Sequence, residues 1–276
     1  MTKLKGQVGI IGAGVMGRAL AQSLLLNKLV RPSQLWATTK SNSSAREASR
    51  VLKIPVHTEG YGEQVRKSSL IILAVKPHQT RSVLRELVKQ GFRSDTTVLS
   101  LVTGISLAEL SAELPAKTPI IRAITNTPLR VGEGMTALVA SKSASSTDLR
   151  RAHEIFSSVG KVIEIEESQC EAMTGLAASG PAYLYLIMEA LADGGVKVGL
   201  SRQVAMAAVA QMVLGSARMV QKSGSHPASL RDEVTTPAGC TIAGLMILED
   251  GKIRSTLARA VEEATETARR LGRQER

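Results

Sequence analysis

Short apolar runs rich in isoleucine, valine and leucine recur through the first 165 residues. Their apolar character is continuous rather than alternating, which is typical of parallel strands that are buried on both faces. Two further runs, residues 134–140 and 161–165, are strand candidates that would extend the same sheet. The five principal runs occupy residues 7–11, 34–38, 70–75, 96–102 and 119–124.

Several of these runs are separated by stretches in which apolar residues recur at helical spacing, such as residues 16–28 and 79–90. Repeated strand–helix–strand units predict a sheet with helices on both faces. We therefore predict an α/β fold for residues 1–165, with a doubly wound parallel sheet of the Rossmann type.

From residue 166 onward the pattern becomes helical. Residues 181–198, 201–222 and 253–272 are rich in Ala, Leu and Met at helical spacing. We predict an all-helical second domain over residues 166–276. An alanine-rich helix is usually core, but so much apolar surface in a small domain favours a subunit interface. The middle helix has small residues that permit close helix–helix approach: Ala205, Ala207, Ala208, Ala210, Gly215 and Ala217.

The formal net charge of +11 is unevenly distributed. Residues 1–165 contain 23 Lys and Arg against 11 Asp and Glu, whereas residues 166–276 contain 12 against 13. A basic first domain is either an ordinary solvated surface or one that attracts a polyanion, such as nucleic acid or a phosphorylated cofactor. Aromatic residues make up only 2% of the chain, so base stacking is poorly supported and we expect no nucleic-acid partner.

Other features exclude several classes of protein. No run of about 18 apolar residues and no signal peptide is recognisable, so we expect no membrane partner and a cytoplasmic location. The two cysteines, Cys170 and Cys240, have no disulfide or metal-binding spacing, and we expect no metal. The four histidines are scattered, and no GxSxG, CxxC or HExxH motif occurs.

The strongest local motif is G-A-G-V-M-G at residues 12–17. It follows a predicted buried strand and precedes a predicted helix, which is the context that a dinucleotide-binding turn requires. Gly12 permits the tight turn, Gly14 lets the backbone approach a pyrophosphate, and Gly17 allows close packing of helix on strand. The motif predicts cofactor contacts from Gly12, Ala13, Gly14, Val15, Met16 and Gly17.

The second strand indicates which dinucleotide is bound. An NAD site usually has Asp or Glu at this point, but the chain reads A-T-T-K-S at residues 37–41, and Glu47 is the next carboxylate. Thr38, Thr39 and Ser41 can donate hydrogen bonds to a 2′-phosphate, and Lys40 can neutralise it. We therefore predict NADPH as the cofactor, with NADH as an alternative.

Three later strands end in residues suited to ligand binding. Ligands lie at the carboxyl ends of the strands in such sheets. The first ending, A-V-K-P, places Ala74, Val75, Lys76 and Pro77 at this edge. The second, S-L-V-T-G at 100–104, contributes Thr103, and R-A-I-T-N-T-P at 122–128 is the third.

The chain resembles the pyrroline-5-carboxylate reductase family over nearly its whole length. The most specific motif is H-P-A-S-L-R-D-E-V-T-T-P-A-G-C-T-I at residues 226–242, which resembles the signature region of that family. The motifs occur in the family's order. The others are G-A-G-V-M-G, A-V-K-P-H at 74–78, T-N-T-P at 125–128, S-G-P-A-Y at 179–183 and A-D-G-G-V-K-V-G-L at 192–200.

This resemblance implies the last step of proline biosynthesis, in which a hydride passes from NAD(P)H to the C=N carbon of 1-pyrroline-5-carboxylate. It also implies a Rossmann domain followed by a helical dimerisation domain, a homodimer, and often a ring of dimers. The small-molecule substrate would lie where the cofactor meets the partner's helical domain. The implied catalytic residue is Thr241, and the implied substrate-binding residues are Glu167, Ser179, Gly180, Val234, Thr236, Gly239, Cys240 and Thr241.

Three positions depart from the family pattern. Ala238 stands in a loop that usually reads Ser-Pro-Gly-Gly, Val102–Thr103 replaces Ala-Ala before Gly104, and Tyr61 replaces an asparagine near the adenine ribose. These departures leave open a paralogue that reduces a related cyclic imine, or a catalytically silent cofactor-binding regulator. A 3-hydroxyacid-type dehydrogenase is a further alternative, with Lys197 as its candidate catalytic lysine.

Overall fold

A sheet of eight strands organises the first part of the protein in this computed structural model, which describes residues 4–274. The strands are β1 (Gln7–Ile11), β2 (Leu35–Thr38), β3 (Val56–His57), β4 (Ser68–Leu73), β5 (Thr97–Ser100), β6 (Ile120–Ile124), β7 (Gly134–Ala140) and β8 (Gly160–Glu164). Their order in the sheet is β3-β2-β1-β4-β5-β6-β7-β8. All neighbouring strands run parallel except β6 and β7, which are antiparallel. The predicted doubly wound sheet is therefore confirmed.

The helices of this part cover both faces of the sheet. These helices are α1 (Val15–Leu26), α2 (Asn42–Leu52), α3 (Gly62–Lys67), α4 (Thr80–Lys89), α5 (Leu107–Ala112), α6 (Ser146–Ser157) and α7 (Cys170–Met173). One core cluster includes side chains from α1, α2 and α6, and a second includes side chains from α3, α4 and α5.

Strand β4 is apolar from Leu70 to Leu73 because both of its faces are buried. On β4, Leu70 and Ile72 belong to the first core cluster, whereas Ile71 and Leu73 belong to the second. Successive side chains point to opposite faces of a strand, so a strand covered on both faces needs apolar residues at every position. The sheet also has its switch point here, because β1 lies between β2 and β4. Ligands bind at such a switch point, beyond the carboxyl ends of the strands.

The second compact unit is helical. It comprises Gly180–Glu262. The first unit comprises the described residues up to Ser179, together with the part of the last helix that begins at Glu263. The helices of the second unit are α8 (Gly180–Lys197), α9 (Arg202–Ser223), α10 (Pro227–Glu233), α11 (Cys240–Asp250) and the first part of α12 (Ile253–Gln274). The helices predicted at 181–198, 201–222 and 253–272 correspond to α8, α9 and α12. The predicted domain boundary at residue 165 stays a prediction.

Helices α8 and α9 pack closely through small residues. Ala192, Ala205 and Val209 form the buried cluster between them, and a Cβ on Gly195 would lie 3.2 Å from the Cβ of Ala205. Much of the remaining apolar surface of this unit is exposed.

Helix α9 is long and apolar enough to cross a membrane by length and composition, although the sequence showed us no such run. Only 11% of the most apolar 18-residue stretch of this helix is buried within the chain. A single helix of this kind is weak evidence for a membrane span, because core helices of soluble proteins have the same composition.

Candidate active site

The turn between β1 and α1 has the geometry of a dinucleotide-binding loop. Gly12 has φ of +99°, and a Cβ there would lie 2.7 Å from the carbonyl oxygen of Ala74. A Cβ on Gly17 would lie 2.2 Å from the carbonyl oxygen of Gly12. In contrast, no atom lies within 4 Å of a Cβ built on Gly14. The turn thus needs glycine at Gly12 and Gly17 for close packing, and Gly14 leaves its backbone open for a ligand.

Thr38 holds this turn in place from the end of β2. Its hydroxyl accepts a hydrogen bond from the Gly12 N–H at 3.2 Å, and its carbonyl oxygen accepts one from the Ala13 N–H at 2.7 Å. Thr38 is 7% exposed. Its main observed role is therefore to order the glycine-rich turn.

A cavity of about 440 Å³ opens beside the turn, within the first unit. Nine of the 14 predicted cofactor residues line it, and no Asp or Glu is among its lining residues. The predicted residues in its wall are Gly12, Ala13, Gly14, Thr38, Thr39, Lys40, Ala74, Val75 and Lys76, and the others are Ile11, Arg18, Ser44, Thr58, Tyr61, Gln79 and Val83.

Five predicted cofactor residues do not line this cavity. Val15 is 66% exposed at the start of α1, and Met16 packs against the core. Gly17 lies against the turn itself, Pro77 begins a short 3₁₀ turn, and Thr103 lies between β5 and α5.

The start of α2 forms the polar end of the cavity. The Ser41 hydroxyl accepts a hydrogen bond from the Ser44 N–H at 3.3 Å and so caps the helix. The Thr39 hydroxyl donates to the Ser41 carbonyl oxygen at 3.2 Å. Hydroxyls, one lysine and a helix N-terminus at one end of a cavity suit a phosphate group.

Arg18 also lines the cavity, although we did not select it from the sequence. Its Nε–H donates to the Ala13 carbonyl oxygen at 2.8 Å, and its two Nη atoms contact the Glu47 carboxylate at 2.7 and 3.4 Å. The sequence could have indicated Arg18 as a cofactor neighbour, because it directly follows Gly17 in the first turn of α1. Ser44, Thr58, Gln79 and Val83 carried no comparable signal.

Glu167, which the resemblance implies as a neighbour of the substrate, forms hydrogen bonds with residues of the first unit. Its Oε1 accepts hydrogen bonds from the Leu107 N–H at 2.6 Å and from Arg122 Nη1 at 3.0 Å. The Arg122 side chain is 4% exposed, and its Nη2 lies 3.9 Å from Glu171 Oε1. This buried arginine ties β6 to the segment that follows β8.

Ser179 follows an unusual π-helical turn, Thr174–Ala178, and Gly180 begins α8. The Asn126 side chain donates to the Ala177 carbonyl oxygen at 3.1 Å and accepts from the Met135 N–H at 3.0 Å. Asn126 belongs to the T-N-T-P motif, so this motif holds the backbone just before Ser179 in place.

The loop between α10 and α11, with the start of α11, contains all the predicted substrate contacts of the second unit except Gly180. The Gly239 N–H donates to the Thr236 carbonyl oxygen at 3.1 Å, closing a tight turn over Pro237 and Ala238. Cys240 and Thr241 are the first two residues of α11, and Val234 before the turn is 63% exposed. The turn therefore leads directly into a helix N-terminus, where a carboxylate is favoured.

Among residues 4–274, no cluster of three or more metal-binding side chains is found. Burial raises the pKa of the Cys170 thiol to about 11, so this thiol is protonated at neutral pH. Cys240 is exposed and unpaired. The described site is thus one of backbone groups, hydroxyls and cations.

Comparison with known proteins decides the family. The chain is 38% identical over 267 residues to pyrroline-5-carboxylate reductase of Methanosarcina acetivorans, covering 97% of this chain and 98% of that protein. It is 37% identical to the enzyme of Arabidopsis thaliana, covering 96% and 95% of the two chains.

The chain belongs to the pyrroline-5-carboxylate reductase family. This result confirms the resemblance of the sequence motifs. Two family models match separate parts of the chain. Residues 167–271 match the model for pyrroline-5-carboxylate reductase dimerisation, and residues 7–104 match the model "NADP oxidoreductase coenzyme F420-dependent".

Solved structures of the reductase family share the fold. The Plasmodium falciparum pyrroline carboxylate reductase, solved with NADP bound, has a TM-score of 0.88 and 31% identity, covering 98% of this chain and 99% of that one. The enzyme of Streptococcus pyogenes has a TM-score of 0.86 and 31% identity, covering 96% and 98%.

Two departures from the reductase pattern have a clear structural setting. Tyr61 lines the cavity and packs on Trp36, with ring centroids 5.7 Å apart, so an aromatic face replaces the amide at this position. Ala238 has φ of +56°. It therefore adopts the left-handed conformation that glycine ordinarily supplies.

Proposed function

We propose that this protein reduces 1-pyrroline-5-carboxylate to L-proline with NADPH, the last step of proline biosynthesis, and that NADH is the poorer cofactor. The observation that carries the proposal is the match to named pyrroline-5-carboxylate reductases over 97% of the chain. The matched region includes both the glycine-rich turn and the loop at residues 234–241. The Plasmodium falciparum relative was solved with NADP bound.

The cavity of the first unit suits the cofactor. Gly14 offers open backbone to the pyrophosphate at the start of α1, and Thr39 and Lys40 lie at the end suited to the 2′-phosphate. Lys76, at the carboxyl end of β4, also lines the cavity. When bound, the reduced nicotinamide supplies the hydride. The residues that we assign to cofactor binding are Gly12, Ala13, Gly14, Val15, Met16, Gly17, Thr38, Thr39, Lys40, Ala74, Val75, Lys76, Pro77 and Thr103.

The loop before α11 suits the substrate carboxylate. Gly239 is the N-cap residue of α11, so free backbone N–H groups follow it, and the hydroxyls of Thr236 and Thr241 lie nearby in the chain. We assign catalysis to Thr241, whose hydroxyl would donate a hydrogen bond to the substrate. The other proposed contacts are Glu167, Ser179, Gly180, Val234, Thr236, Gly239 and Cys240.

This chemistry requires little from an acid–base dyad. A cyclic imine is protonated more readily than a ketone, so the carbon that accepts the hydride is already electrophilic. Positioning and preorganised hydrogen bonds can then lower much of the remaining barrier. A site built from hydroxyls and backbone N–H groups is therefore adequate for imine reduction.

We further propose that the enzyme is a cytoplasmic homodimer, with larger rings of dimers as the higher assembly. The match of residues 167–271 to the dimerisation model and the exposed apolar side chains of α8, α9 and α11 support the dimer. On this proposal α9 packs against the partner subunit rather than lying in a membrane.

The test is reduction of 1-pyrroline-5-carboxylate by purified protein, followed through the loss of NADPH absorbance. Thr241→Val should lower kcat by about a hundred- to a thousandfold, because a preorganised hydrogen-bond donor is lost. The Kd for NADPH should stay within about twofold, because the cavity of the first unit is unchanged. Thr256→Val, at an exposed threonine on α12, is the matched control and should behave like the wild type.

Absence of turnover with both NADPH and NADH would refute the proposed reaction. A normal kcat in Thr241→Val would instead remove Thr241 from the catalytic role and leave the reaction in place.

A further inference from the structure

Arg18 connects the glycine-rich turn to helix α2. Its Nε–H is bonded to the Ala13 carbonyl oxygen, so the base of the side chain is fixed against the turn. Its guanidinium end reaches Glu47, which lies 29 positions later in the chain. Because Ser44, one helical turn before Glu47, lines the cavity, the guanidinium is held on the α2 side, where Thr39 and Lys40 also lie.

The charges that line the cavity are unbalanced. Arg18, Lys40 and Lys76 lie in its wall, and none of the described lining residues is acidic. Glu47 is the carboxylate in contact with Arg18, and its side chain is 56% exposed. A hydrogen bond from Arg18 lowers the pKa of Glu47, so this carboxylate is ionised at neutral pH.

We propose that Arg18 is a cofactor-specificity residue that binds the 2′-phosphate of NADPH, and that Glu47 both positions its guanidinium and competes with that phosphate for it. The inference rests on the proposed use of NADPH. A guanidinium can bind a phosphate through two hydrogen bonds, and its Nε–H bond to Ala13 keeps it at the cavity while the Nη atoms change partner. NADPH and NADH share the pyrophosphate and differ in the 2′-phosphate. A substitution that weakens the binding of NADPH more than that of NADH therefore acts on the 2′-phosphate.

The two partners should therefore have opposite effects. Arg18→Gln removes the cation, and we expect the Kd for NADPH to rise about tenfold, the range of one charge-assisted hydrogen bond. The Kd for NADH should change by less than about threefold. Glu47→Gln removes the competing charge, and the Kd for NADPH should fall by about threefold, within the range of an exposed ion pair. The Kd for NADH should not change.

The measurement is titration of the full-length protein with NADPH and with NADH. Adenosine 2′,5′-bisphosphate and adenosine 5′-monophosphate serve as fragments with and without the 2′-phosphate. Lys40→Ala is the positive control. Arg31→Gln is the matched negative control, because Arg31 is an exposed cation that precedes β2, at the opposite end of that strand from Thr39. Arg18→Lys keeps the charge and should retain most of the preference for NADPH.

Equal weakening of NADPH and NADH in Arg18→Gln would overturn the inference, because it would leave Arg18 only the role of supporting the turn. Weaker NADPH binding in Glu47→Gln would also overturn it. If the wild type binds neither cofactor, the proposed function itself fails. If the wild type binds NADPH but neither variant changes the preference, only the assignment of Arg18 fails.

Discussion

Ala238 has a φ of +56°, a conformation that disfavours any residue with a Cβ. It is the third residue of the turn Thr236–Pro237–Ala238–Gly239, where a turn with proline in second place commonly needs positive φ. The next residue is also constrained, because a Cβ on Gly239 would lie 2.4 Å from Thr236 Oγ1. The turn thus keeps its shape with alanine present, at a cost in backbone strain.

We expect Ala238→Gly to increase the free energy of unfolding by about 0.5 kcal/mol. Relief of the left-handed strain contributes about 1–2 kcal/mol, and the added flexibility of the unfolded chain removes about 0.5–1 kcal/mol. Denaturant unfolding at a fixed protein concentration measures the change. Ala258→Gly, at an exposed position within α12, should destabilise the protein by about 1 kcal/mol. Similar destabilisation by both substitutions would contradict the strain at Ala238.

Helix α6 is capped by a network that also ties it to the sheet. The Ser145 hydroxyl accepts from the Asp148 N–H at 3.2 Å, and Asp148 Oδ2 accepts from the Ser145 N–H at 2.9 Å. Asp148 Oδ1 accepts from the Thr97 hydroxyl of β5 at 2.5 Å. Burial by itself would raise the pKa of Asp148, but hydrogen bonds from Ser145 and Thr97 bring it below its ordinary value.

At neutral pH, Asp148→Asn should lower the free energy of unfolding by about 2 kcal/mol, since an anionic acceptor and half of a capping box are lost. A carboxyl with a lowered pKa in the folded state stabilises the protein above its ordinary pKa. That contribution disappears as the pH falls through the lower folded-state value. The difference between variant and wild type should therefore shrink below about pH 4.

Urea unfolding at several pH values measures this difference. Glu154→Gln, on the same helix, is the matched control and should change stability by less than about 0.5 kcal/mol. A pH-independent difference for Asp148→Asn would exclude the ionised carboxylate as its cause.

At the scale of the whole molecule, the second unit cannot bury its apolar surface within one chain. Helices α8, α9 and α11 expose large apolar side chains, among them Leu186 at 67%, Met212 at 50% and Ile247 at 71%. Exposed apolar surface on this scale marks a protein interface. It accords with the match of this region to a dimerisation model.

Met212→Asp should weaken the proposed dimer, because an unpaired carboxylate in an apolar interface loses its hydration. Analytical ultracentrifugation over a range of concentrations should show a dissociation constant raised at least tenfold, or about 1.4 kcal/mol. Val131→Asp is the matched control, since Val131 is a 77% exposed apolar residue in the first unit. An unchanged dimer in Met212→Asp, or equal dissociation in both variants, would place the interface elsewhere.

Much of the fold was predictable because its determinants are local. The continuous apolar runs of β1 and β4 indicate strands covered on both faces, and the helical spacing indicates α1 and α4. A short element such as β3, with two residues, has too few positions for a periodic signal. The reversed direction of β7 depends on its pairing with β6, which no local pattern encodes.

The site divides in the same way. By itself, the sequence determined that a glycine-rich turn follows the first strand, that Thr39 and Lys40 replace an acidic residue, and that the last loop resembles a substrate-binding signature. Tertiary structure alone decided that Arg18 meets Glu47, 29 residues away, and that Arg122 meets Glu167, 45 residues away. The physical reason is range: steric and spacing rules act between neighbours in sequence, whereas these ion pairs exist only where packed helices and strands bring distant side chains together.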